Sequence, residues 1–271
     1  MSRSSGINIV DRSSVFNAIE KSDSSIVLHM VAKSDIDTCE LDREEDIERK
    51  EKIENLSLAS SAWAINVEGT RNIVDTCNKT GKKIIYISTD FVFDGAKDFY
   101  FDGDRENPIN WYGQTKFEGE KLVKAAMVPL AIFRIAYPYR ASFIRNNFFR
   151  SIMKRLESRQ QVSAVIDHHF TPTFIDDLAL FINAFISNWQ DGIFHVVGNG
   201  SLTPYDACID IVDIFGYDKN LIFSTTRAEF FKNRAERPFN LIMKSDKLKK
   251  LDIEMNSFKE GLKIIKKQLS L

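Results

Sequence analysis

The sequence predicts an α/β fold, a Rossmann-like doubly wound parallel sheet with a smaller C-terminal substrate lobe. Short β-branched apolar runs alternate with stretches of helical periodicity, the pattern of successive βαβ units. The 271 residues, 44% of them apolar, are enough for one large α/β domain or a domain plus a smaller lobe. No internal repeat or low-complexity tract points to another architecture.

In chain order, strands are expected at 7–10, 26–31, 84–88, 130–135 and 193–197, and helices at 14–21, 59–79 with Gly81 as C-cap, 112–124 and 175–186. Right-handed crossovers should place helices on both faces of the sheet. Residues 1–137 and 174–200 are assigned to the sheet domain, and 138–173 with 201–271 to the lobe. Segment 40–57 mixes both charge signs around Leu41, Ile47, Ile53 and Leu56, and reads as a solvated helical excursion or as a partner-binding helix. Beyond Tyr137 the run Tyr139, Arg140, Phe143, Arg145, Phe148, Phe149 and Arg150 suits either a substrate lobe or an amphipathic helix with a Phe stripe.

Lys and Arg number 37 against 38 Asp and Glu, a net charge of -1, so no basic excess favours nucleic acid and a small molecule is the expected partner. No apolar run reaches the roughly 20 residues of a membrane span, and the Ser-rich start lacks the apolar stretch of a signal peptide. Cys39, Cys77 and Cys208 are too scattered for disulfides or a metal knuckle, which suits core packing in a reducing cytoplasm. No metal site is expected: His168 and His169 read as loop residues, and His29 and His195 as satisfied core histidines.

Tyr112 and Lys116 lie four apart at the start of a helical pattern, so both side chains leave one face. An ammonium near a phenol favours the phenolate and lowers a pKa that is otherwise about 10. That spacing alone is weak, because such pairs arise by chance in a chain of this composition. Its context is stronger: the strand 84–88 ends in Ser88, Thr89 and Asp90, and the carboxyl end of a strand is where α/β folds place their chemistry.

Ser88-Thr89-Asp90-Phe91-Val92-Phe93-Asp94-Gly95 followed by Asn107 to Glu120, with Trp111-Tyr112-Gly113-Gln114-Thr115-Lys116 at its centre, resembles the extended short-chain dehydrogenase/reductases, and within them the dTDP-4-dehydrorhamnose reductase family. Three further blocks match in order: Ala64 to Asn72, Asp167 to Ala179, and Arg237-Pro238 with Asn240. The resemblance implies NAD(P)H-dependent reduction of a nucleotide-linked 4-keto sugar. It implies that Tyr112 protonates the keto oxygen, that Thr89 hydrogen-bonds the same oxygen, and that Lys116 holds the nicotinamide ribose and tunes Tyr112. By the same resemblance Asn8, Val31, Ala32, Lys33 and Ser88 join Tyr112 and Lys116 around NADP(H) or NAD(H), Asn66 sits behind the site, and Asp90, Phe91, Tyr137 and Arg237 face the substrate. Tyr137 reads equally as a hinge aromatic. A homodimer is compatible with such a chain.

One family feature has no counterpart here. The G-x-x-G-x-x-G turn that lets backbone approach the pyrophosphate is absent, and residues 7–10 resemble the family's third strand, with Asn8 at its acidic position. The expectation is a protein whose true start lies upstream of Met1, a sheet with an exposed apolar edge at 26–31, and weakened cofactor binding by these 271 residues. Two other readings stand beside the reductase. One is a non-catalytic binding or regulatory subunit resembling that of methionine adenosyltransferase; the other is an epimerase or dehydratase of the same superfamily.

Overall fold

A computed structural model describes residues 6–49, 60–142, 147–251 and 253–270. Phe143, Arg145 and residues 50–57 of the charged segment lie outside the described residues. The central sheet has four strands in the order β1-β2-β3-β6, where β1 is Ile26–His29, β2 Lys83–Thr89, β3 Leu130–Ile135 and β6 Gly192–His195. β1 runs parallel to β2 with Ile26 opposite Lys83 and His29 opposite Tyr86. The fold is the predicted parallel, Rossmann-like α/β type.

By contact the chain forms two compact units. The first comprises Met1–Phe93, Arg105–Phe133 and Gln190–Ile193. Its core joins Val15 and Ile19 of α1 (Arg12–Glu20) to Ile73, Val74 and Cys77 of α4 (Gly69–Thr80), to Ile84 and Tyr86 of β2, and to Val123 of α5 (Trp111–Lys124). Apolar residues of α4 recur at helical spacing, which gives the helix one sheet-facing stripe. Gly81 stops it in the left-handed conformation (φ 69°), where a side chain would be strained, and its N–H bonds to the Cys77 carbonyl.

The second unit comprises Asp94–Asp104, Arg134–Trp189 and Phe194–Leu271. α7 (Ile175–Ser187), expected with the sheet domain, groups with this unit. Its core is aromatic and aliphatic: Tyr139, Phe149, Phe170, Phe174 and Phe258 pack with Ile211, Leu262 and Ile265. Two short parallel pairs, β4 (Val162–Val165) with β7 (Ile222–Thr225) and β5 (His169–Phe170) with β8 (Asn240–Leu241), belong to it. These pairs are too short for a period to reveal them in the sequence.

Two expectations are corrected. Residues 7–10 form no strand. The Asn8 carbonyl accepts from Asp11 N–H (3.1 Å) in a turn that leads into α1, the Ile9 side chain lies against Gly69, and Asn72 donates to the Ile9 carbonyl (3.0 Å). β-branched residues extend only where a neighbouring strand offers a ladder, and among the described residues β1 is an edge paired with β2 alone. The exposed apolar edge is present, with Leu28 39% and Met30 57% exposed.

The second correction concerns part of residues 40–49: most of α2 (Ile36–Leu41) and α3 (Arg43–Arg49) beyond residue 40 is exposed, as a solvated excursion would be, but Glu40 and Asp46 turn inward. Asp46, 2% exposed, accepts from the indole N–H of Trp111 (2.8 Å) and the backbone N–H of Trp63 (3.0 Å), while Glu40 accepts from the Trp111 backbone N–H (2.8 Å). Trp63 and Trp111 stack with centroids 6.0 Å apart. These charges anchor the start of α5. Asp46→Ala should therefore cost about 2–4 kcal/mol, because two buried donors lose their acceptor. Urea denaturation of the variant measures this, and a loss below about 0.5 kcal/mol would place Asp46 on the surface energetically.

Candidate active site

The site is built where β2 ends and α5 begins. Thr89 closes β2 in extended backbone and caps a single 3-10 turn, Asp90–Val92, its Oγ1 accepting from Phe91 N–H (3.3 Å). α5 starts at Asn110, whose side-chain oxygen accepts from Gly113 N–H (2.9 Å), a cap of the kind Asn favours. The two ends touch because Gly113 has no side chain: a Cβ there would stand 2.1 Å from the Phe91 carbonyl oxygen. That contact brings Tyr112 beside Thr89, with Phe91 edge-on to the Tyr112 ring at 5.8 Å.

One turn along α5, Lys116 is buried. Its ammonium donates to the Ile87 carbonyl (2.8 Å) and lies 4.0 Å above the Tyr86 ring, a cation held by a dipole and an aromatic face. Burial pulls its pKa down to about 7, against the opposing charge of Glu120. The Tyr112 phenol is pushed well above its ordinary value by burial, with Asp90 and Cys39 adding to the shift and the neighbouring Thr89 hydroxyl opposing it. The Thr89 hydroxyl is the neighbour that favours the phenolate, and the phenol is protonated at neutral pH.

Behind this pair Asn66 connects three segments. Its Nδ2 donates to the Lys33 carbonyl (2.9 Å) and to Thr115 Oγ1 (3.0 Å), and its Oδ1 accepts from Lys33 N–H (2.8 Å). Thr115 in turn donates to the Tyr112 carbonyl (2.9 Å). Asn66 lies in a π-helical stretch, Ala64–Glu68, whose wider turn interrupts the α-helical pattern expected at 59–79. Thr70 donates to the Asn66 carbonyl (2.7 Å) and contacts His29 Nε2 (2.9 Å), which carries the network to the end of β1. Burial lowers the His29 pKa to about 3, so it is a neutral core residue.

Of the residues expected around a cofactor, Val31, Ala32 and Lys33 form the loop after β1, and Lys33 Nζ pairs with Asp42 (2.5 Å). Ser88 is buried and donates to Glu120 (2.6 Å). Asn8 is not at a strand end: its Oδ1 accepts from Val10 N–H (3.4 Å) within its own turn. Asp90 and Phe91 are buried against Thr89 and Tyr112.

Tyr137 and Arg237 belong to the second unit. Tyr137 adopts a positive φ of 41°, stacks on Phe170 at 3.9 Å, and its hydroxyl meets His168 Nε2 (2.8 Å). The Arg237 guanidinium lies 4.7 Å over the Phe231 ring. Among the described residues no group of three or more His, Cys, Asp or Glu is placed to hold a metal, and no helix is long and apolar enough to cross a membrane.

Sequence reading found Thr89, Tyr112, Lys116 and Asn66. It missed Glu40, Asp42 and Asp46, whose signal, acids on a helical face that also carries Cys39 and Ile47, resembled an ordinary solvated helix. Gly113→Ala should cost about 1–3 kcal/mol through its clash with a backbone carbonyl, which a side-chain movement cannot relieve. Thermal unfolding of this variant beside Gly103→Ala, whose Cβ meets nothing within 4 Å, tests the point; equal melting temperatures would contradict it.

The comparisons with known proteins agree with this fold. The family described as RmlD substrate binding domain matches residues 2–270. A crystal structure of dTDP-4-dehydrorhamnose reductase from Bacillus anthracis str. Ames in complex with NADP superposes with a TM-score of 0.85 at 28% identity, covering 97% of this chain and 87% of that one. The dTDP-4-dehydrorhamnose reductase of Aggregatibacter actinomycetemcomitans is 25% identical over 275 residues, 97% of this chain and 87% of its own. Methionine adenosyltransferase 2 subunit beta of Bos taurus is 28% identical over 265 residues, 95% of this chain and 74% of its own.

Proposed function

The chain belongs to the RmlD substrate binding domain family, and from that premise we propose that it is an NAD(P)H-dependent reductase of a nucleotide-linked 4-keto sugar. The observation that carries the reading is the cluster of buried Thr89 and Lys116 with partly buried Tyr112, the phenol protonated and a second hydroxyl beside it. Two hydroxyl donors facing one space suit a carbonyl whose oxygen gains negative charge as it is reduced.

The donor set fits the nicotinamide end of the cofactor. Lys116, one turn from Tyr112, would hold the ribose hydroxyls, and the loop Val31 to Lys33 would border the ring, fixed there by Asn66. Bound there, the reduced nicotinamide supplies the hydride for the keto carbon. Tyr112 Oη gives its proton to the keto oxygen, Thr89 donates to the same oxygen, and Asn66 with Thr115 keeps the first turn of α5 in register with the loop after β1.

The likeness to methionine adenosyltransferase 2 subunit beta of Bos taurus, 28% identical over 265 residues, favours a second reading: a regulatory subunit that binds a nucleotide-containing ligand and does not turn it over.

The two readings separate in a coupled assay. Oxidation of NADPH or NADH, followed at 340 nm in the presence of a dTDP-linked 4-keto-6-deoxyhexose, is expected for the reductase. Tyr112→Phe should lower kcat by at least about 100-fold with KM changed only a few-fold, since the phenol acts in the transition state. Wild-type turnover in that variant, or saturable ligand binding without any nicotinamide oxidation by the native protein, would defeat the reductase reading.

A further inference from the structure

Asp90 packs directly against the proposed proton donors, and its two oxygens are treated differently. Its side chain is 1% exposed. Oδ1 accepts from Thr89 Oγ1 at 2.9 Å, whereas Oδ2 is buried with no hydrogen-bond partner. A carboxylate stripped of water and given one hydroxyl donor is poorly compensated; a neutral carboxyl in the same place leaves far less charge unsolvated.

Thr89 has a single hydroxyl proton to give. While that proton rests on Asp90 Oδ1, Oγ1 can only accept, from Phe91 N–H and from the Tyr112 phenol beside it. Thr89 then has no proton left to give to a carbonyl.

We propose that Asp90 is a positioning residue that sets the direction of the Thr89 and Tyr112 hydroxyls: as a neutral acid it donates to Thr89 Oγ1, and so releases the Thr89 proton toward the keto oxygen. No proton is lost to Thr89 in this exchange. The carboxyl takes one proton from solvent, and the hydrogen bond between Oδ1 and Oγ1 reverses its donor. The inference rests on the reductase reading for its catalytic consequence, but the reversal itself is a property of the unliganded protein.

The groups around Asp90 support it. On α5 the facing titratable group is Tyr112 and on α2 it is Cys39, both uncharged at neutral pH, so neither supplies a cation to hold a carboxylate at Asp90. Lys116 is committed to the Ile87 carbonyl and the Tyr86 face, and Lys33 is paired with Asp42. Burial accordingly raises the Asp90 pKa to about 7, with Thr89 and the backbone N–H groups of Asp90 and Phe91 opposing the shift.

The sign of the pH effect follows. A folded-state pKa above the unfolded value means that the folded protein holds the extra proton between about pH 4 and about pH 7, so stability falls as pH rises through that window. Asp90→Asn carries no such dependence. The difference in melting temperature, variant minus native, should grow between pH 5 and pH 8, and Thr89→Val should move the native midpoint upward by removing the anion's side-chain donor. A difference that stays flat with pH, or a midpoint indifferent to Thr89→Val, overturns the proposal whether or not the protein reduces anything.

The catalytic arm compares turnover at pH 6 and pH 9 in native protein and Asp90→Asn. Lys116, which also titrates near 7, contributes to the alkaline fall in both. Removal of the Asp90 step should shrink the pH 6 to pH 9 ratio by at least about tenfold, one proton fewer in the profile. An unchanged ratio overturns the proposal. A pH-dependent stability difference in a protein with no nicotinamide oxidation on any 4-keto sugar overturns the reductase reading and leaves the hydroxyl reversal supported.

Discussion

The site depends on a single close approach, the first turn of α5 against the turn that follows β2. A hydrogen atom in place of a side chain at Gly113 lets the Phe91 carbonyl come within a distance that no other residue permits. Everything chemical is arranged relative to that contact. Tyr112 precedes the glycine, Thr89 and Asp90 precede the carbonyl, and Lys116 follows one turn later along a helix whose direction the contact determines. Such a constraint is steric and nearly temperature-independent, whereas the hydrogen bonds around it are individually worth about 1 kcal/mol. They refine a placement that packing has already made.

A second layer holds this contact from behind. The side chain of Asn66 satisfies two backbone groups of Lys33 and one hydroxyl of α5, while Asp46 and Glu40 hold Trp111 from the other side. Asn66 and Asp46 are buried and lose more by being left unpaired than they gain by being paired, so the layer resists adjustment. The buried ammonium of Lys116 fits the same scheme: it is held in place by a carbonyl and a ring, with its charge weakened by burial.

Much of this was legible in the sequence, for identifiable reasons. The strand at 84–88 and the helix at 112–124 have strong periodicity, and the residues between them form an ordered motif, so Thr89, Tyr112 and Lys116 could be named together. What was not legible depends on partners distant in the chain. Residues 7–10 have the composition of a strand but no ladder to join. Asp46 looks solvated until Trp111, 65 residues away, is folded against it. The direction of Lys116, toward the Tyr86 ring and the Ile87 carbonyl, follows from how α5 is rotated against β2, a quantity that spacing along one helix does not contain. Nor did composition show that Asp90 lacks a second partner, since a charge reads as solvated until its surroundings are known.

The position of β1 in the sheet carries a consequence for the order in which the protein comes apart. Among the described residues β1 has one bonded neighbour, half the ladder of β2, so it is the natural point at which this part of the sheet begins to fray. The loop bearing Lys33 hangs from that strand, and Asn66 is bonded to the loop's backbone. Opening at β1 therefore loosens the Asn66 amide's hold on the loop, and the region that frays first is also the one that keeps the proposed cofactor loop in register with α5.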